Sequence, residues 1–135
     1  MKILVVVAVV FAAVMVKADV ADLYLDLVKD PITHCAKENG FTEQTPREIF
    51  DKDLKSGLDG STCLLACTMK RMGTIKDSKL NQENLIAFVK EAHSKNPEKI
   101  PVLEKAVAEC MEKVKSMPDE CKMAFSYVQC FLDKH

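Results

Sequence analysis

Apolar side chains recur every three or four residues along most of the chain, which is the period of an amphipathic helix. The clearest case follows Pro101, where an apolar stripe lies opposite charged residues such as Glu104 and Lys113. That stripe comprises Val102, Leu103, Ala106, Val107, Cys110, Met111 and Val114. After Pro118 the pattern is apolar on two sides, with Cys121, Ala124, Phe125, Val128, Phe131 and Leu132 on one and Met123, Tyr127 and Cys130 on the other. A helix of this kind is expected at the centre of the fold.

Capping signals divide the preceding residues into further helices. Residues 45–48, TPRE, place a threonine before a proline and a glutamate three positions after the threonine, which predicts a helix from there to about Lys55. Ser61 or Thr62 is suited to cap the next helix, and Gly73 is suited to end it.

The rest of the chain is also helical in pattern. Near its start, one helical face carries Val20, Leu23, Tyr24 and Leu27. Asp30 and Pro31 are expected to interrupt that helix and start another. Residues 74–79, TIKDSK, are expected to form a loop, after which Asn81 caps a helix with an inner face of Leu85, Ile86, Val89 and Ala92. No segment alternates with the two-residue period of a strand, so an all-α fold is predicted.

The first 18 residues have the pattern of a secretory signal peptide. Lys2 precedes an apolar stretch that runs to Val16, and Ala18 is a small residue suited to the cleavage site. A membrane anchor is the alternative, but the apolar stretch is short for a bilayer span and no second one follows. We therefore expect a leader at residues 1–18, a single mature domain at residues 19–135, and secretion.

All six cysteines lie in the expected mature domain. An even number of cysteines in a secreted chain indicates three disulfides, for which 15 pairings exist. Cys63 and Cys67 lie one helical turn apart on the same face, so each is expected to bond a different segment. A zinc site is the alternative for this pair, but no histidine lies nearby in sequence.

Charge argues against nucleic acid as a partner. The chain of 135 residues has 19 basic and 20 acidic residues and a formal net charge of −1, and loss of Lys2 and Lys17 with the leader would lower the charge by two, to −3. Nucleic-acid binding requires a basic surface, and the signs here are interspersed. The same balance offers no basic face for anionic lipid, and membrane insertion is not expected.

The sequence offers little for catalysis. It contains no Gly-x-Ser-x-Gly elbow, no His-Glu-x-x-His helix and no glycine-rich phosphate loop. His34, His93 and His135 are scattered, and His93 continues the apolar line of its helix, where a structural role is the commoner one. An enzyme is therefore not expected. The mature methionines, at positions 69, 72, 111, 117 and 123, suit either a core or an adaptable pocket.

The spacing of the cysteines resembles the six-cysteine pattern of insect odorant-binding and pheromone-binding proteins. It reads Cys35-x27-Cys63-x3-Cys67-x42-Cys110-x10-Cys121-x8-Cys130, and the x3 and x8 gaps are the most fixed in that family. The resemblance covers the whole mature chain and extends to the stretch GTIKDSKLNQENL after the third cysteine and to Asp119 and Ala124 around the fifth.

This resemblance implies a compact all-α bundle of about six helices around an apolar cavity, stapled by three interlocked disulfides. The implied pairs are Cys35 with Cys67, Cys63 with Cys121, and Cys110 with Cys130. It also implies ligand contacts from matching positions, with Tyr127 as the expected hydrogen-bonding partner of a polar headgroup. The other expected contacts are Met69, Met72, Leu80, Leu85, Ile86, Val89, Leu103, Val107, Met111, Val114, Phe125, Val128, Phe131 and Leu132.

The function implied is reversible transport of a small hydrophobic ligand, of the odorant, pheromone or semiochemical kind, through an extracellular fluid. No cofactor and no metal is implied. An olfactory receptor is a further candidate partner, and whether the chain forms a homodimer stays open. The alternative is a secreted structural or defensive protein, such as a venom, seminal or cuticular component, that uses the scaffold without transporting odorants. A saposin-like membrane-active protein also has helices and three bridges, but its cysteine spacing differs.

Overall fold

Six α-helices account for most of the described structure. The computed structural model describes the backbone of residues 2–134 and the side chains of residues 20–134, so the side chains of the predicted leader, and all of His135, lie outside the described part. The helices are α1 (Lys2–Glu38), α2 (Pro46–Gly60), α3 (Leu64–Arg71), α4 (Gln82–Ala92), α5 (Ile100–Val114) and α6 (Glu120–Asp133). A short hairpin of β1 (Ile75–Lys76) and β2 (Lys79–Leu80) precedes α4, and a 3-10 turn at Pro97–Lys99 leads into α5. The prediction of an all-α bundle is confirmed.

Side-chain caps start three of these helices. Thr45, Asn81 and Asp119 cap α2, α4 and α6 by accepting hydrogen bonds from first-turn backbone N–H groups. The donor–acceptor distances are 2.9 to 3.2 Å, and these bonds satisfy donors that have no partner within a helix. Thr45 and Asn81 therefore have the capping role that their sequence context predicts.

The first helix differs from its prediction, because α1 continues through Pro31 without a break. A proline inside a helix removes one backbone hydrogen bond and is costly. Here the residues on both sides of the proline, Val28 and Ile32, are buried in the same core, and Cys35 is bonded to α3. Burial of this continuous face offsets the local cost.

The hairpin was not expected from the sequence, which predicted a loop there. Its two strands pair antiparallel, with Ile75 opposite Leu80. The turn residues Asp77 and Ser78 have φ values of 53° and 61°. Positive φ at both central residues is the conformation that joins tightly twisted strands, and it is usually signalled by glycine. Because this turn contains no glycine, the hairpin has no recognisable signal in the sequence.

The central position predicted for α6 is confirmed. This helix packs against α1, α2, α3 and α5, and its buried residues include Ala124 and Phe125. The helix α5 packs against α4 and α6, so its apolar stripe is buried between helices. Val102 is an exception to the predicted stripe, since it is 66% exposed at the start of α5.

Three disulfides connect four of the helices. Cys35 of α1 bonds Cys67 of α3, Cys63 at the start of α3 bonds Cys121 of α6, and Cys110 of α5 bonds Cys130 of α6. This is the pairing that the family resemblance implies. As expected from their common helical face, Cys63 and Cys67 bond different partners, and α3 is thereby fixed to α1 and to α6.

Candidate ligand-binding cavity

An apolar cavity of about 110 Å³ lies among α1, α2, α3, α4 and α6. Its wall is formed by residues of these helices and of the segment just after α3. They are Ala21, Tyr24, Leu25, Val28, Ile32, Phe50, Leu65, Thr68, Met69, Met72, Thr74, Leu85, Phe88, Val89, Tyr127, Val128, Phe131 and Leu132.

No polar atom contributes to the surface of this cavity. The two threonines of the wall use their hydroxyls on the backbone. Thr68 Oγ1 donates to the carbonyl of Leu64 at 2.8 Å, and Thr74 Oγ1 donates to the carbonyl of Met69 at 3.0 Å. A cavity with such a surface favours apolar molecules, because a polar group placed in it loses its hydrogen bonds to water.

One side of the wall is a continuous row of four rings, which we call the aromatic row: Phe88, Tyr24, Phe131 and Tyr127. The ring centroid of Tyr24 lies 5.4 Å from that of Phe88 and 5.6 Å from that of Phe131, and the second pair meets edge to face. Tyr127 stacks on Phe131 at 6.0 Å. These distances and angles are typical of stabilising aromatic pairs.

Tyr24 also joins α1 to α4 through a buried hydrogen bond. Its hydroxyl lies 2.8 Å from Nε2 of His93, which follows the last residue of α4 and is 4% exposed. Burial raises the pKa of Tyr24 above the ordinary tyrosine value, so this hydroxyl stays protonated. The buried histidine therefore has the structural role that was the commoner expectation.

Eight of the predicted ligand contacts lie together in the cavity wall. They are Met69, Met72, Leu85, Val89, Tyr127, Val128, Phe131 and Leu132. All come from the C-terminal half of α3 and its end, from α4 and from α6. These are three of the five helices whose apolar faces meet around the cavity.

Seven predicted contacts lie outside the wall. Leu103, Val107, Val114 and Phe125 are fully buried in helix packing, and Leu80, Ile86 and Met111 are partly buried against the core. The α5 residues lie outside the wall because α5 packs against α4 and α6 and its apolar face is buried in those contacts. Membership of an apolar stripe does not tell a core residue from a cavity residue.

Residues of α1 and α2 form a large part of the wall and were not predicted as contacts. From α1 they are Ala21, Tyr24, Leu25, Val28 and Ile32, and Phe50 comes from α2. The α1 residues follow a spacing of three and four, which is a detectable helical signal. The helical face inferred from the sequence is displaced around α1 relative to the face that lines the cavity, because it includes Leu23, which is 37% exposed.

Tyr127 contributes its ring to the wall rather than its hydroxyl. Within residues 20–134 this hydroxyl has no hydrogen-bond partner, and burial raises the pKa of Tyr127, with a smaller contribution from Tyr24. The geometry gives no support to the expected hydrogen bond between Tyr127 and a ligand headgroup.

One cluster among the described side chains has the spacing of metal ligands, namely Cys35, Glu38 and Cys67. The two sulfurs are bonded to each other, so neither is available as a thiolate. Metal ligation by cysteine requires the thiolate, and this cluster is therefore a disulfide beside a surface carboxylate.

Comparison with known proteins identifies the family. No curated protein sequence matches the chain significantly. The sequence profile of the PBP/GOBP family matches residues 18–134, which is nearly the whole chain and all of the described cavity wall. Among the described residues, no helix has the length and apolar character needed to cross a bilayer. With its six paired cysteines and its apolar cavity, the chain belongs to the PBP/GOBP family of insect odorant-binding and pheromone-binding proteins, which bind and carry small hydrophobic molecules.

Proposed function

We propose that residues 19–135 are a secreted carrier that binds one small hydrophobic molecule of the odorant, pheromone or semiochemical kind reversibly in the cavity. The observation that carries the proposal is a wall drawn from five helices whose surface holds no polar atom. Transfer of an apolar molecule from water into such a space is favourable by burial alone. It requires no catalytic group, and the ligand leaves chemically unchanged.

The cost of the cavity supports a ligand-binding role. At about 24 cal/mol per Å³, an empty cavity of 110 Å³ costs roughly 2.6 kcal/mol. A domain of this size has only about 5 to 15 kcal/mol of stability in total. A bound apolar molecule recovers part of this loss, because it restores the missing contacts of the wall.

The disulfides offset the free-energy cost of this cavity. The shortest loop joins Cys110 to Cys130, with a sequence separation of 20. Closing a loop of this length is worth roughly 3 kcal/mol in the chain-entropy description. One crosslink therefore offsets about the whole cost of the empty cavity.

Secretion by cleavage after residue 18 is part of the proposal. The first cavity residue, Ala21, comes three positions later, so cleavage at this point leaves the wall intact. N-terminal sequencing of protein expressed with its leader in insect cells and recovered from the medium tests this step. The expected first residue is Asp19.

A binding assay on the mature, oxidised and delipidated chain tests the carrier function. We expect an apolar fluorescent naphthylamine probe to bind saturably at one molecule per chain. Val28→Phe and Val128→Phe place a larger side chain at the cavity wall and are expected to weaken binding about tenfold or more. Val102→Phe is the matched control, because Val102 is exposed and lies outside the wall.

Circular dichroism and thermal unfolding establish that each variant is folded. Absence of saturable binding to the folded wild-type chain would refute the carrier function and favour the structural or defensive alternative. Equal loss of binding in Val28→Phe and Val102→Phe would show that the probe binds elsewhere on the surface.

A further inference from the structure

We infer that the cavity selects a compact, uncharged aromatic molecule over a flexible alkyl chain. This inference rests on the proposed carrier function and adds the chemical class of its ligand. Three features of the cavity carry it: its volume, the aromatic row, and the absence of polar atoms from its surface.

Volume sets the size of the ligand. An apolar cavity of about 150 Å³ in another protein accepts benzene. The cavity here is somewhat smaller, at about 110 Å³, and part of its wall is made of Met69 and Met72. Methionine side chains adapt their shape readily, so the space accommodates a compact aromatic molecule.

The aromatic row favours a ring as the occupant. Phe88, Tyr24, Phe131 and Tyr127 all face the cavity with part of their rings, and Met69 and Met72 line it from α3. Aromatic rings gain energy from each other beyond the area that they bury, by stacking or by edge-to-face contact. Thioether sulfurs add favourable contacts with a ring. An alkyl chain of equal size obtains burial but not these contacts.

The polar atoms of the wall residues, including the Tyr127 hydroxyl, contribute nothing to the cavity surface. The hydroxyl of Tyr24 is hydrogen-bonded to His93, and those of Thr68 and Thr74 are bonded to backbone carbonyls. A charged or polyhydroxylated ligand would be desolvated without compensation. A flexible chain would in addition lose torsional freedom on binding, which a rigid ring does not.

Ethylbenzene and octane provide a paired test, because they contain equal numbers of carbon atoms. Binding of each to the mature chain is measured by headspace partitioning over protein solution. We expect ethylbenzene to bind about tenfold more tightly than octane, which corresponds to one or two aromatic contacts.

Variants show whether the aromatic row causes this preference. Phe131→Leu and Phe88→Leu remove a ring from the wall and are expected to reduce the preference to about threefold or less. Phe125→Leu is the matched control, since Phe125 is fully buried but lies outside the wall, and its preference is expected to stay at the wild-type value. Phe88 is only half-buried, so its variant serves if Phe131→Leu fails to fold.

The outcomes separate this inference from the carrier function. Octane bound as tightly as ethylbenzene overturns the inference and leaves the carrier function intact, and so does a preference that persists in folded Phe88→Leu. If neither hydrocarbon binds and the fluorescent probe does not bind either, both the carrier function and the inference fail. Binding of the probe without either hydrocarbon overturns the inference alone.

Discussion

The hydroxyl of Tyr24 lies 2.8 Å from Nε2 of His93, so a buried hydrogen bond joins the first helix to the end of the fourth beside the cavity. Removal of one member of a buried pair leaves the other without that bond and costs about 1 to 2 kcal/mol. We expect Tyr24→Phe to lower the free energy of unfolding in urea by this amount.

Tyr127→Phe is the matched control for that measurement. Both tyrosines are buried in the same aromatic row, but within residues 20–134 the Tyr127 hydroxyl makes no hydrogen bond. Its removal is expected to change stability by less than about 0.5 kcal/mol, or to raise it slightly. A larger loss in Tyr127→Phe than in Tyr24→Phe would contradict the assignment of the hydrogen bond. The same variant is expected to keep the ligand affinity of the wild-type chain.

Alkaline pH is expected to destabilise the fold through the two buried tyrosines. Burial raises the pKa of Tyr24 and of Tyr127 above the ordinary value of about 10. The unfolded chain therefore loses these protons at a lower pH than the folded chain. The stability that depends on the two protonated tyrosines is fully present below about pH 10, and it falls as the pH rises above that value.

Urea unfolding between about pH 8 and pH 11 measures this effect. Lysines also titrate in this range, so the informative quantity is the difference between wild-type and variant chains. Tyr127→Phe is expected to show a shallower decline than the wild type. Parallel curves would show that the buried tyrosine does not contribute.

Asp53 is expected to make the protein less stable at neutral pH than an uncharged residue would. It is 1% exposed, and its Oδ1 accepts hydrogen bonds from the backbone N–H and the hydroxyl of Thr62 at 3.1 and 3.0 Å. Its Oδ2 has no hydrogen-bond partner in the described structure. Burial is the main influence on the pKa of Asp53 and raises it, while the Thr62 hydrogen bonds oppose the shift.

The sign of the effect follows from proton binding. The folded chain holds the Asp53 proton more tightly than the unfolded chain, so its contribution to stability is largest at acid pH and is lost as the pH rises above about 4. Asp53→Asn, which stays neutral, is expected to gain stability relative to the wild type between about pH 4 and pH 7. Unfolding in urea at both pH values tests this, and a constant difference between the two chains would contradict it.

The three crosslinks are expected to differ in their contribution to stability according to loop length. Cys63 and Cys121 are separated by 58 residues and Cys110 and Cys130 by 20. Replacing the first pair by serines is expected to cost about 4 kcal/mol and the second about 3 kcal/mol. Guanidinium unfolding of the two double variants measures the order. A reversed order would show that local packing around Cys130 outweighs chain entropy.

The sequence was most informative where a pattern has one physical meaning. An even set of cysteines in a chain with a predicted leader indicates disulfides, and Thr45 and Asn81 stand before helices that they do cap. The two apolar sides of α6 indicated a central helix, and α6 does pack against four others. In each case the local chemistry and the tertiary fold favour the same structure.

The cavity wall was harder to predict because burial alone does not reveal empty space. Val107 and Val89 have the same apolar character and are both buried, yet only Val89 lines the cavity. The difference arises because α5 packs against α4 and α6 without lining the cavity, which is a tertiary relationship. Likewise, Asp77 and Ser78 adopt positive φ without a glycine, so the hairpin had no local signal.

The crosslinks are distributed unevenly over the helices that enclose the cavity. The bonds link α1, α3, α6 and α5 into a single covalent frame, whereas α2 and α4 contain no cysteine. Of these two, α4 supplies Leu85, Phe88 and Val89 to the wall, and α2 supplies Phe50. The fourth helix is thus held against the covalent frame by packing and by the hydrogen bond between Tyr24 and His93, with no disulfide of its own.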